Sequence, residues 1–247
     1  MSELRFTTSW DDGHPLDLRV AALLAKYGMG GTFYVPRRNL EGRSVLSKAE
    51  LRTLASQFEI GGHTFDHVRL NRVPIAEVDQ QVHRIKTALE QEIGSAVAGF
   101  CYPGGAHNAA IRESVRLAGF EYARTISNLH TDIPTDRFRA PTTLQFYPHV
   151  RYTYLKNFVR RRRWPTRFEM FTIAMTSQGL EDALHRMLER AADLGGVFHL
   201  WGHSWEIEEC GLWDVLDRFL HEAATLVDAK YRMTNRAVYA APSDRDG

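Results

Sequence analysis

The sequence holds only two cysteines, Cys101 and Cys210, in 247 residues. Two thiols cannot frame a disulfide scaffold for a chain of this size. It also lacks an excess of charge. Lys and Arg number 31 and Asp and Glu 30, a formal net charge of +1. That balance argues against a general nucleic-acid binder, which needs a basic surface. No uncharged apolar run approaches the roughly 18–20 residues of a membrane span. The opening Met-Ser-Glu-Leu-Arg is unlike the basic-then-apolar order of a secretory leader. A cytoplasmic protein is the expectation. There is no internal repeat, low-complexity tract or Ser/Gly/Pro-rich linker, so one domain over residues 1–247 is expected. No Gly-x-Gly-x-x-Gly follows the first strand-like segment, which weakens a dinucleotide-binding reading.

What is present is an ordinary globular balance, 44% hydrophobic and 25% charged, with 11 histidines. Strand-like and helix-like segments alternate. Leu4–Ser9 reads as a strand, Leu16–Tyr27 as a helix and Gly31–Val35 as a strand. Ser47-Lys48-Ala49-Glu50 is a capping box opening a helix. Phe58–Gly61 is a short strand. Ile75–Ile93 is a long helix entered through Pro74 and ended at Gly94. Gly99–Tyr102 and Tyr122–Ile126 are strands around a helix over Ala109–Ala118. Leu180–Leu194, Val197–Trp201 and Leu212–Val227 read as helix, strand and helix. Such alternation implies parallel strands with helical crossovers, as a doubly wound sheet or a closed barrel.

The polar residues fall where such folds build their sites. Asp11-Asp12-Gly13, His63-Thr64-Phe65-Asp66-His67, Tyr102-Pro103-Gly104-Gly105 and His203 each follow the C-terminal end of a strand. Each has a bland reading alone. Asp-Asp-Gly makes turns, Pro-Gly makes turns, His-x-x-x-His can be two surface histidines, and His199 and His203 can be partly buried beside Trp201 and Trp205. Yet two adjacent carboxylates repel, and a cation relieves the repulsion. Two His and one carboxylate form a three-ligand set that leaves a metal position open.

In this order, Ser9-Trp10-Asp11-Asp12-Gly13, Gly31-Thr32-Phe33-Tyr34-Val35, Gly62-His63-Thr64-Phe65-Asp66-His67, Phe100-Cys101-Tyr102-Pro103-Gly104-Gly105 and His199-Leu200-Trp201-Gly202-His203 resemble the polysaccharide deacetylase family, the NodB-homology carbohydrate esterases of family 4. The resemblance spans roughly Leu4 to Glu206. It implies a distorted (β/α)7 barrel, a TIM-like NodB-homology fold, and a divalent metal, most often Zn2+, with Co2+, Ni2+ or Mn2+ as alternatives. It implies hydrolysis of an N-acetyl group on an amino sugar to a free amine and acetate. Asp11 matches the general base, and Asp12, His63 and His67 match the metal ligands. His203 matches the general acid, with His199 as the fallback. The Tyr102-Pro103-Gly104 loop matches the substrate and oxyanion contact.

The chain departs from the family at two motifs. An Arg that orients the base stands two residues before Pro103 in the family, and here that position is Cys101. Arg124 and Arg139 are the candidates for its role. The family's Asp-Trp pair with its own Arg is missing. Two rival readings follow: a metal-independent amide or ureide hydrolase like the allantoinase-like members, and a non-catalytic carbohydrate-binding protein.

Arg151 to Arg167 holds seven basic residues and no acid, with Tyr152, Tyr154, Phe158 and Trp164 among them. A solvated, partly disordered basic loop is the expectation. The functional alternative is a peripheral membrane contact that recruits a lipid-linked or phosphate-bearing sugar. With the missing leader, this points to an N-acetylated sugar or oligosaccharide in a biosynthetic intermediate.

Overall fold

The structure is a computed structural model and describes residues 3–160 and 164–240. Strand and helix alternate as the residue pattern implies. The strands are β1 Leu4–Asp11, β2 Gly31–Val35, β3 Glu59–Gly62, β4 Gly99–Cys101, β5 Tyr122–Arg124, β6 Leu144–Gln145, β7 Gly196–Gly202 and β8 Arg232–Met233. The longer helices are α1 Asp17–Lys26, α2 Lys48–Ala55, α3 Ile75–Ile93, α4 Ala109–Leu117, α5 Arg151–Arg160, α6 Trp164–Thr176 and α7 Leu180–Leu194. They are followed by α8 Ser204–Glu209, α9 Trp213–Leu226 and α10 Asn235–Tyr239. The Ser47 capping box forms, with the hydroxyl accepting from the Glu50 N–H and the Glu50 carboxylate accepting from the Ser47 N–H. Helix α3 ends at Gly94, whose φ of 73° only glycine adopts readily.

The sheet runs β5-β4-β3-β2-β1-β7-β6, every pair parallel, and β8 lies beside the start of β1. One segment closes the curl. Ala140 bridges Arg124 of β5, and Leu144 four residues later pairs with Leu200 of β7. The result is a distorted (β/α)7 barrel.

Two packing environments follow from the period-2 alternation of each strand. Phe6, Phe33 and Phe198 face the helices, and Phe6 and Phe198 stack on each other and against Phe219 of α9. The barrel interior is instead narrow and polar. Thr7 bonds Asn235, which donates to Tyr34, which bonds Tyr122, which donates to Glu59. One layer up, Ser9 contacts His199, which contacts Tyr239. Above that layer lie Asp11 and Arg124. These hydrogen-bonded chains favour a single arrangement, because an unpaired buried polar group costs more than the bond contributes.

The basic stretch is not a loop. Residues 151–160 and 164–176 form a helical hairpin, while Arg161–Arg163 lie outside the described residues. Phe158 stacks on Phe171, with ring centroids 4.1 Å apart. Arg167 is fully buried and donates to the carbonyls of Asn128, Asn157 and Phe158. An all-basic composition concealed this, because one buried Arg with several carbonyl acceptors anchors the hairpin.

Candidate active site

The site lies at the C-terminal mouth of the barrel, in a cleft of about 200 Å³. Asp11, Asp12, His63, His67, Pro103, Gly104 and His203 line it, together with Glu41, Arg69, Trp201, Trp205 and Glu206. Asp11 ends β1 as an inward-facing residue. Asp12 then takes φ 77° and Gly13 φ 58°, which turns the second carboxylate back over the mouth. A Cβ on Gly13 would lie 2.7 Å from Val35 Cγ1, so only glycine fits.

Past β3, the His63–His67 loop is similarly strained. Thr64 and His67 both have φ 57°, a conformation costing on the order of 1–3 kcal/mol for such residues. Gln81 of α3 holds this loop. Its Oε1 accepts from the N–H groups of Phe65 and Asp66, and its Nε2 donates to Asp66 Oδ2. Asp66 also pairs with Arg38 at 2.6 Å. Nothing in the local sequence pattern singles out Gln81.

The donors of Asp12, His63 and His67 lie within 4.8 Å of one another. Asp12 Oδ1 is 3.0 Å from His67 Nε2 and 3.6 Å from His63 Nε2. Yet among the described residues this buried oxygen has no hydrogen-bond partner. His63 Nδ1 lies 2.9 Å from the Cys101 carbonyl, which can only accept. Nδ1 therefore carries a proton, and Nε2 faces Asp12. Asp12 Oδ2 accepts from Trp205 Nε1 at 3.0 Å. Burial would raise the Asp12 carboxyl, but His63, His67 and the charge of His203 outweigh it and hold the group well below the usual range. An ionised oxygen lacking a partner, faced by two imidazole nitrogens, is a fitting donor set for a divalent cation.

Asp11, His63 and Cys101 form a second close group. It is the weaker set. Burial pushes the Cys101 thiol far up, by more than the charge of Arg124 lowers it. A neutral thiol is a poor ligand. Cys101 Sγ instead lies 3.6 Å from Asp11 Oδ2 as a weak donor.

Of the two candidate cations, Arg124 is the one beside Asp11. Its guanidinium ion-pairs with Asp11 and stacks 4.8 Å from the Trp201 ring and 5.2 Å from Tyr34. Arg139 is exposed and lines a separate cavity of about 370 Å³ with His107, Thr125 and Ser127. Of the two histidine candidates, His203 lies in the cleft, with Nε2 4.0 Å from Asp12 Oδ2. Its Nδ1 meets Glu206 Oε2 at 2.7 Å. Burial alone would lower its pKa, but Glu206 and the charge of Asp12 push it up to about 9. His199 is buried beneath, bonded to Ser9, Pro141 and Tyr239. Burial and the charge of Arg124 hold it well below the usual histidine value.

Tyr102 turns away from the cleft. Its hydroxyl donates to the Phe138 carbonyl and its N–H to the Arg124 carbonyl. Pro103 has no N–H, so of these three residues Gly104 carries the donor beside the cleft. Glu206 and Trp205, which position His203 and Asp12, were not singled out from sequence. A signal existed in His203-Ser204-Trp205-Glu206, where the i, i+3 spacing brings Glu206 back to His203.

Residues 4–123 match the family model of polysaccharide deacetylases. That span carries Asp11, Asp12, His63 and His67, and the family match supports a sugar N-deacetylase. Solved structures share the fold. A chitin deacetylase from the fungus Colletotrichum lindemuthianum is 15% identical, with a TM-score of 0.60 over 98% of this chain and 89% of that one. A family 4 carbohydrate esterase from Streptomyces lividans, solved with acetate, is 13% identical, with a TM-score of 0.56 over 98% of both chains. The likeness to a Streptococcus pyogenes deacetylase, 14% identical with a TM-score of 0.49, covers 55% of this chain and 62% of that one. A sequence search of curated proteins finds no match. No helix among the described residues is long and apolar enough to cross a membrane.

Proposed function

We propose that this chain hydrolyses the N-acetyl amide of an amino sugar with the help of a divalent metal held by Asp12, His63 and His67. The observation that carries the reading is the buried, partnerless Asp12 Oδ1 facing two imidazole Nε2 atoms. The same observation disfavours the metal-independent alternative, which has no use for an ionised oxygen in that position. When bound, the cation supplies Lewis acidity, polarising an amide carbonyl and acidifying water. The resemblance makes Zn2+ the first candidate, and Co2+, Ni2+ and Mn2+ suit the same donors.

The protein's own groups carry the protons. Asp11, oriented by Arg124, accepts a proton from the attacking water as the carbon–oxygen bond forms. The Gly104 N–H is the loop's donor to the developing oxyanion. His203, protonated at neutral pH, gives its proton to the nitrogen as the carbon–nitrogen bond breaks, which yields acetate and a free amine. His199 does not suit that role, because it is neutral and lies away from the cleft. Trp201 and Trp205 present aromatic walls at a cleft sized for one sugar. The substrate is an N-acetylated sugar or oligosaccharide in a glycan or glycolipid intermediate.

Metal analysis of the purified protein, with acetate release from a panel of N-acetylhexosamines and their oligomers, tests the proposal. Bound metal and release that both vanish in His63→Ala and His67→Ala are expected. Full release by metal-stripped protein would overturn the metal mechanism.

A further inference from the structure

Helix α5 carries an apolar stripe on its outer side. Tyr152, Leu155 and Val159 are 70%, 41% and 58% exposed. At 3.6 residues per turn they fall within an arc of about 60°. Arg151 borders that arc on one side, and Lys156 and Arg160 border it on the other, each about 40° from its neighbour. All three cations are exposed. Phe168 of α6 is 57% exposed as well. This stripe is not left over from core packing, since α5 already turns Tyr154 and Phe158 inward.

The hairpin also adjoins the cleft. His149, two residues before α5, lies 2.9 Å from Gln145 through its Nε2. Gln145 donates to Glu206 at 3.2 Å, and Glu206 is the partner of His203. A surface seated on α5 is therefore joined to the rim of the cleft by one short polar chain.

We propose that the outer face of α5 docks on an anionic lipid surface and presents the cleft to amino sugars carried on lipid. A narrow apolar stripe bounded on both sides by cations matches a bilayer interface, where acyl chains lie beneath anionic headgroups. A protein partner would need a wider apolar patch and acidic counterparts. The docking rests on the helix alone, and the lipid-linked substrate rests on the deacetylase reading above.

The test is sedimentation of the metal-loaded full chain with phosphatidylcholine vesicles, with and without phosphatidylglycerol. Binding only to the vesicles containing phosphatidylglycerol, weakened by salt, is expected. Lys156→Gln with Arg160→Gln should weaken it about tenfold or more. Tyr152→Ser, Leu155→Ser and Val159→Ser together should abolish it. Both variants should keep the wild-type melting temperature and turnover of a soluble N-acetyl chito-oligosaccharide. Equal binding of both vesicle types, no binding, or unchanged binding by the stripe variant would overturn the docking. So would a concentration-dependent dimer lost in the stripe variant, which would assign the face to a second copy. If vesicles bind but no soluble sugar is turned over, the docking stands and the deacetylase reading fails.

Discussion

Arg124, at the end of β5, ion-pairs with Asp11, at the end of β1, although 113 positions separate them in the chain. Both side chains are almost wholly inaccessible. Removing one partner of a buried pair strands the other charge and costs about 3–5 kcal/mol. Arg124→Gln should therefore lose stability on that scale in urea unfolding and release acetate at least about 100-fold more slowly. Cys101→Ala, which removes only a weak S–H donor, should do far less on both measures. If Arg124→Gln unfolded and turned over like wild type, the pair would have no part in either.

Trp205 makes a narrower test of the proposed metal centre. Its indole N–H bonds Asp12 Oδ2, and the Arg43 guanidinium stacks 3.3 Å from its ring. Groups that orient a ligand typically contribute 10–100-fold to metal affinity. Trp205→Phe keeps the ring and removes the donor. Calorimetric titration of metal-stripped protein should show affinity weakened by about that factor, whereas Asp12→Ala should show no binding. Unchanged affinity in Trp205→Phe would remove the indole from the centre.

The pH dependence of turnover should carry the signature of His203. As proton donor it acts only when protonated, and Glu206 and Asp12 hold its pKa up to about 9. Turnover should hold across neutral pH and fall as pH rises through that value. Glu206→Gln removes a neighbouring anion, so the fall should move to lower pH. A profile of kcat against pH for both proteins decides the matter. Identical alkaline limbs would assign the limb to another group.

Asp17 should make stability decline with rising pH. It is fully buried in α1, and among the described residues only the Ser204 hydroxyl donates to its side chain, at 2.6 Å. Burial raises its pKa well above the usual value, by more than the Ser204 hydrogen bond lowers it, and the charges of Asp12 and Asp11 add to the rise. In the unfolded chain it titrates near about 3.9. The folded protein thus binds the proton more tightly, and this stability is present below pH of about 4 and lost as pH rises towards the folded value. The melting temperature of Asp17→Asn, measured relative to wild type, should therefore climb as pH increases. A flat difference would show that Asp17 ionises alike in both states.

Much of this could be read locally. The Ser47–Glu50 capping box, the stop at Gly94 and the 3.6 and 2.0 periodicities are decided by residues within a few positions, so the helices and strands stand close to where their patterns place them. Asp11, Asp12, His63 and His67 were legible because each motif follows a strand end. The basic stretch misled for the opposite reason. Its helices depend on Arg167 reaching the Asn128 carbonyl across 39 positions, which composition does not record. Tyr102 looked like a cleft residue by proximity, but its hydroxyl and N–H go to Phe138 and Arg124.

What the sequence determined by itself is the family pattern, the alternating barrel elements and the chemical types at the mouth, because these arise from short-range spacing. The tertiary structure alone decided which cation meets Asp11, which histidine faces the cleft, and which groups hold Asp12 and Glu206. Those choices depend on pairs from different strands, Arg124 with Asp11, Trp205 with Asp12 and Gln145 with Glu206. Barrel closure brings each pair together, and no pattern along the chain encodes the distance between them.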